Sequence, residues 1–378
     1  MVLRPYVFCP TKVVRNISCK DYLPVALDGR DWAVVTSRSW ATGGMLDELL
    51  SGPDLPKPIA IISEVSPNPT LSTLFDLEQR LPENVVVVAL GGGSVMDMAK
   101  GMLALKAVAG DQSTLTDHLK NGVALPNHLA PMPMIAIPTT SGTGSEVTQW
   151  GTIWGDDGIK FSVTHPSLFP QVAILDEQLC VSMGADLTLA TGLDALSHAM
   201  ESVWNHNHSS YSDGLSVAAI KMIRRSLETC MDQPHNLKAR KEMQEAAILS
   251  GLAMGATQTA LAHSISYPFT SKFGMPHGLA CSFTLPEVAR FNSETALMRL
   301  QPIAEGLEIT IEEIPDHLYT WFRKLGVPTS ISKFFNESML HQIPDNLITR
   351  ARAANNIRPV EADEARLLAA KSLQKLWR

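Results

Sequence analysis

Residues 84–100 read NVVVVALGGGSVMDMAK. Four valines and then Ala-Leu form a short apolar run without alternation, the pattern of a strand buried on both faces of a parallel sheet. Gly91-Gly92-Gly93-Ser94 follows at once, and the segment after it has helical spacing. A strand, a glycine turn and a helix start in that order leave backbone N–H groups free at a positive dipole end, which cradles phosphate. The turn is not a GxGxxG fingerprint, and a tight turn without a ligand would use the same glycines.

Similar runs lie on either side: DWAVVT at 31–36, PIAIIS at 58–63, MIAI at 134–137 and VAIL at 172–175. Helical spacing at 70–79 and 95–105 leaves room for crossover helices. From about residue 185 strand-like runs nearly vanish. Stretches 187–204, 212–231, 237–255 and 361–377 are rich in Ala, Leu, Met and charged residues and read as helices. The expectation is an α/β dinucleotide-type domain over residues 1–182 and an all-α domain over 183–378.

Composition narrows the function. A length of 378 residues suits two domains of ~100–200 residues each. Hydrophobic residues at 45% and charged ones at 18% suit a globular chain with a sizeable core. A net charge of -7 argues against nucleic acid as the main partner, since phosphate-backbone binding needs a basic face. Five cysteines without a CxxC pair read as free thiols in a reducing compartment. The opening MVLRPYVFCPTKVVRN has no apolar leader core, and no apolar run approaches the ~20 residues of a membrane span. These features place the chain in the cytoplasm, away from membranes.

Two further constellations carry chemistry. Residues 138–148, PTTSGTGSEVT, follow the MIAI run and are dense in hydroxyls and glycine, suited to phosphate or ribose or to a plain polar loop. In GLDALSHAMES, Asp194 and His198 stand four apart on one helical face. His263 in ALAHSIS and His277 in MPHGLA complete a carboxylate and three imidazoles, enough to hold Fe2+ or Zn2+ with room for substrate. Any one of these histidines alone fits a core or surface role equally well. His206 and His208 in WNHNHSS read as a solvated loop.

GGGSVMDMAK, PTTSGTGSEVT, GLDALSHAMES and MPHG, in this order, resemble the iron-containing (group III) alcohol dehydrogenase family over most of the chain. The resemblance implies a Rossmann-like N-terminal domain and an all-α metal domain, in a dehydroquinate synthase-like architecture, with the active site in the cleft between them. It implies NAD(H) or NADP(H) on Gly91, Gly92, Gly93 and Ser94, lined by Thr139, Thr140, Thr143 and Ser145, with Asp97 and Lys160 nearby. It implies a divalent metal, Fe2+ or Zn2+, on Asp194, His198, His263 and His277, and a homodimer. Trp150 is a candidate substrate contact. The activity implied is reduction of a small aldehyde, or oxidation of the alcohol.

Two positions depart from the family pattern. Where it has a histidine four residues after the third ligand, this chain has Tyr267, which either donates a proton or only shapes the pocket. Where NAD-preferring members carry an acid after the first strand, this chain has Ser37 and Arg38, which suit a 2′-phosphate and so NADP(H), unless Arg38 points to solvent. ALAHSISYPFT and FGMPHGLACSFTLPEVARFN further resemble the phosphonoacetaldehyde reductase branch of phosphonate biosynthesis, whose dianionic substrate calls for cations or hydroxyls. Lys272, Ser264, Ser266, Thr270 and Ser271 are candidates, with Lys272 equally suited to the surface. The competing readings are a general short-chain alcohol dehydrogenase, a dehydroquinate synthase or glycerol-phosphate dehydrogenase relative, a non-catalytic nucleotide-binding paralogue and a metallohydrolase. The last would not need the glycine turn, and no HExxH occurs.

Overall fold

The computed structural model describes residues 8–52 and 54–378. Residues 1–7, part of the stretch read for a leader, lie outside the described residues. By their contacts the described residues form two compact units: Cys9–Thr140 with Ser145–Cys180, and Ser141–Gly144 with Val181–Arg378, to which Phe8 also belongs.

The first unit is built on six parallel strands in the order β1-β8-β5-β4-β2-β3. The strands are β1 (Lys12–Val14), β2 (Trp32–Ser37), β3 (Ala60–Val65), β4 (Val86–Gly91), β5 (Met134–Pro138) and β8 (Val172–Ile174). The valine run is the fully buried β4. Its side chains alternate between two apolar layers, Val85, Val87 and Ala89 on one face and Val86, Val88 and Leu90 on the other. The helix Gly93–Ala107 covers the first face, and the helix Cys19–Leu27 covers the second. All five apolar runs are strands.

Three strands escape the pattern. β1 is a three-residue edge strand, mostly exposed, too short for any periodicity. β6 (Trp150–Trp154) and β7 (Lys160–Thr164) form an antiparallel hairpin beside the sheet. β7 mixes polar and apolar residues, so it gives no continuous apolar run. Gly151 in β6 lies against the Gly93–Ala107 helix, where a Cβ would stand 2.9 Å from the Asp97 carbonyl oxygen.

The second unit is helical. Its centre is the helix Ala185–Val203, whose residues from Thr188 onward are almost all buried. The helices Ser210–Asp232, Leu237–Thr257 and His277–Ser282 pack around it. Close approach is allowed by small residues: a Cβ on Gly278 would stand 1.7 Å from the Ala190 carbonyl oxygen. Ser141–Gly144 joins this unit for the same reason, since a Cβ on Gly144 would stand 2.5 Å from the Gly251 Cα. No helix among the described residues is long and apolar enough to cross a membrane.

Candidate functional site

In the sheet unit, the carboxyl ends of β2, β4 and β5 lie side by side. Thr36 stands opposite Leu90, and Gly91 opposite Pro138. Open parallel sheets bind their ligands at this edge. The register therefore sets Ser37 and Arg38, the glycine turn and Thr139 next to one another, and the Thr139 N–H donates to the Gly91 carbonyl at 3.0 Å. The turn is tightest at Gly91, where a Cβ would meet Val95 Cγ2 at 2.5 Å, while one on Gly92 would crowd Thr140 Oγ1 at 3.0 Å. Gly93 opens the helix. Ser94 follows, its hydroxyl accepting from the Asn68 N–H at 3.3 Å. Arg38 is exposed and Ser37 half-buried, its hydroxyl 2.9 Å from that of Ser39.

Asp97 and Lys100 act one turn further along the helix and hold the next loop. Ser145 Oγ donates to Asp97 at 3.0 Å. The buried Lys100 ammonium donates to the Ser145 carbonyl at 2.6 Å, Ser145 Oγ at 2.9 Å, Thr148 Oγ1 at 3.3 Å and the Trp150 carbonyl at 2.8 Å. Burial pushes the Asp97 carboxyl up to about 6, against the pull of Lys100, and pushes Lys100 down to about 8. It raises the buried Glu146 to about 7. Lys160 opens β7, where its charge reaches Asp97. Ser145 and Trp150 are thus tied to this clamp. Thr143 belongs to the helical unit, Thr139, Thr140 and Ser145 to the sheet unit.

In the helical unit the four expected metal ligands come together around one oxygen. His198 Nε2 and His263 Nε2 each lie 3.8 Å from Asp194 Oδ1. The His198 and His263 rings stack at 4.9 Å, and His277 meets His263 edge-on at 5.3 Å. A separation of 3.8 Å is too long for a hydrogen bond. It approaches the ~3.3–3.6 Å between an oxygen and a nitrogen donor on one tetrahedral ion with bonds of ~2.0–2.2 Å.

Two residues outside the expected set shape this centre. The fully buried Glu201 accepts from His263 Nδ1 at 2.6 Å, from the His263 N–H at 3.1 Å and from the Ala260 N–H at 2.9 Å. That fixes the imidazole with Nε2 aimed inward, and this buried nitrogen has no hydrogen-bond partner. Cys281 brings its sulfur to 3.4 Å from Asp194 Oδ1. Four ligand atoms within 4.8 Å of one another belong to Asp194, His263, His277 and Cys281, a quartet that does not include His198.

Charge supports the same reading. Burial works to raise the Asp194 carboxyl, but His198, His263 and His277 hold it well below the usual carboxylate range. Burial works to lower His263, but Cys281, Glu201 and Asp194 hold it well above the imidazole range. Two buried carboxylates facing three imidazoles call for a cation, either a proton on His263 or a metal. The orphaned Nε2, its carboxylate partner and the mixed oxygen-nitrogen donors fit a divalent ion.

Other candidates fall elsewhere. Tyr267 is half-buried, its ring stacked 6.4 Å from that of His277. Lys272 is not brought to the cluster: it is exposed nine residues beyond His263, about 13 Å along the helix Leu261–Phe273, with its ammonium over the Phe273 ring. Ser264 and Ser266 spend their hydroxyls on the carbonyls of Leu347 and His263. Ser271 is exposed, and Thr270 is buried. His206 and His208 are exposed and outside the cluster.

Residues 10–177 match the family model described as iron-containing alcohol dehydrogenase, and residues 188–372 match that of the C-terminal part of the same family. The chain belongs to the iron-containing alcohol dehydrogenase family. The glycine turn falls in the first matched segment and all the candidate metal ligands in the second. The NADPH-dependent butanol dehydrogenase of Clostridium saccharobutylicum is 31% identical over 321 residues, 81% of each chain. The probable alcohol dehydrogenase EutG of Escherichia coli is 38% identical over 222 residues, 58% of this chain and 55% of that one. The sulfoacetaldehyde reductase of Bifidobacterium kashiwanohense, solved with NAD+, superposes with a TM-score of 0.85 at 26% identity, covering 97% of this chain and 98% of that one.

Proposed function

We propose that this member of the iron-containing alcohol dehydrogenase family catalyses the NAD(P)H-linked reduction of a small aldehyde to a primary alcohol. The observation that carries the reading is the cluster of the buried Asp194, His198 and His263 with the half-buried His277, in which His263 Nε2 has no hydrogen-bond partner and Nδ1 is held by Glu201. When bound, a divalent metal supplies Lewis acidity toward a carbonyl oxygen, and a reduced nicotinamide supplies the hydride. The residues of the chain do the rest. Asp194 and the imidazoles hold the cation, Glu201 keeps His263 in the ligating tautomer, and burial keeps water from competing. Gly91, Gly92, Gly93 and Ser94 hold the pyrophosphate at the helix start. Tyr267, stacked on His277, shapes the wall beside the metal and offers a hydroxyl proton.

The finer reading is reduction of phosphonoacetaldehyde to 2-hydroxyethylphosphonate, with NADPH preferred. It draws on the resemblance of residues 260–270 and 273–292, and on the relative named for sulfoacetaldehyde, another two-carbon aldehyde with an anionic head. Ser37 and Arg38 support the NADPH preference, as does the relative named NADPH-dependent. The test is a panel of phosphonoacetaldehyde, sulfoacetaldehyde, propanal and butanal with both cofactors in the iron-loaded protein. The expected result is a kcat/KM at least about tenfold higher for phosphonoacetaldehyde than for butanal, a gap of ~1.4 kcal/mol in transition-state binding. No aldehyde-dependent oxidation of either cofactor would remove the reductase reading. A strong NADH preference would remove only the cofactor assignment.

A further inference from the structure

Cys281 is the group at the metal centre that this function does not use. It lies in the helix His277–Ser282, four residues after His277, so both side chains share one face. Its thiol is buried and donates to the His277 carbonyl at 3.0 Å and to Asp194 Oδ1 at 3.4 Å. The second of these acceptors is the oxygen on which His198 and His263 also converge. The sulfur and the ligand atoms of Asp194, His263 and His277 all lie within 4.8 Å of one another. The unpartnered His263 Nε2, 98% buried, is aimed into the same space. The helical unit therefore offers two overlapping sets of four donors that share Asp194, His263 and His277. One adds the imidazole of His198, the other the sulfur of Cys281.

We propose that Cys281 is the fourth ligand when this centre holds a thiophilic ion such as zinc or cobalt, with His198 left outside the coordination shell. Thiolate ligands select such ions, whereas imidazole and carboxylate serve iron equally well. On loading, the S–H bond breaks, an S–metal bond forms and the proton leaves to solvent, because a coordinating thiol is deprotonated outright. Four protein ligands fill a tetrahedral zinc or cobalt ion, so this state is of the structural type, whereas an iron ion on the His198 set takes more than four ligands and keeps an open position for substrate. The inference rests on the metal-centre reading but not on the aldehyde reduction.

The experiment exchanges the full-length protein into Co2+ and records its absorption spectrum, then repeats it for Cys281→Ser, Cys281→Ala and His198→Asn. The wild type and H198N are expected to show a near-ultraviolet thiolate-to-cobalt charge-transfer band, and both Cys281 variants to lack it. Chelator competition should find zinc bound at least about tenfold more weakly in C281S, with Fe2+ affinity within about threefold of wild type. Absence of the band from the wild type, or its survival in a Cys281 variant, overturns the proposal. Should both Cys281 variants fail to fold, the wild-type and H198N spectra still decide it. Aldehyde reduction plays no part in the readout, so a protein that shows the band but reduces no aldehyde refutes the functional reading alone.

Discussion

Glu201 receives three donors at once, two backbone N–H groups and His263 Nδ1, and is fully buried while doing so. Its charge is matched to this crowd, and the coulombic and hydrogen-bonding pull of His263 keeps it ionised against burial. Glu201→Gln keeps the shape but turns an NH2 toward a donor and removes the charge that makes His263 a strong ligand. Metal affinity should fall about 10–100-fold, as it does when a carboxylate behind a ligating histidine is lost. Chelator competition well below the melting temperature measures this, and an affinity equal to wild type would refute the role assigned to Glu201. The residue was legible in principle, because positions 194, 198 and 201 repeat every three or four and so share one helix face. A search confined to ligands passes over it, since an acid on a buried face declares no partner. Cys281 was hidden differently: a cysteine four residues after a ligand reads as an ordinary small core residue until its neighbours are in place.

At the scale of elements, the Gly93–Ala107 helix and the 145–150 loop are locked by a buried cation and two carboxyls whose titration is inverted from the usual case. Burial lifts Glu146 from 4.5 to about 7, against the attraction of Lys100. A carboxyl that binds its proton more tightly when folded opposes folding once ionised. That penalty is complete above about pH 7, shrinks as pH falls from 7 to 4.5 and is gone below. Glu146→Gln should therefore raise stability by roughly 2–3 kcal/mol at pH 8 and change nothing near pH 4.5. Melting curves of the two proteins across this range give the answer, and a parallel offset at every pH would show that the carboxyl does not titrate as described. None of this was visible in PTTSGTGSEVT, where Glu146 stands as the one charge in a polar loop. The strands were visible because β2, β4, β5 and the buried side of β3 need apolar residues on consecutive positions. The β6–β7 hairpin was not, because the packing that holds it comes from Asp97 and Lys100, far away in sequence.

For the whole molecule, the division of labour follows the division of the chain. Every residue of the metal cluster lies in Val181–Arg378, and the glycine turn with Ser37 and Arg38 lies in Cys9–Thr140. A ligand stabilises the unit that binds it by RT ln(1 + [L]/Kd), about 2.7 kcal/mol at a hundredfold excess over Kd. Metal loaded at that excess should raise the melting of the helical unit by that amount, and chelation should withdraw it. NADPH affinity should change by less than about threefold on chelation, because no residue expected to touch the pyrophosphate is also a metal ligand. Ser141–Gly144, part of the loop expected to line the nucleotide, packs within the helical unit, so any influence of metal on nucleotide binding is expected to pass through it. Titrating NADPH fluorescence into metal-loaded, stripped and reloaded protein separates the cases. A reversible loss of more than about tenfold on stripping would show that the two ligands are coupled through that segment, and that the helical unit helps to hold the cofactor as well as the metal.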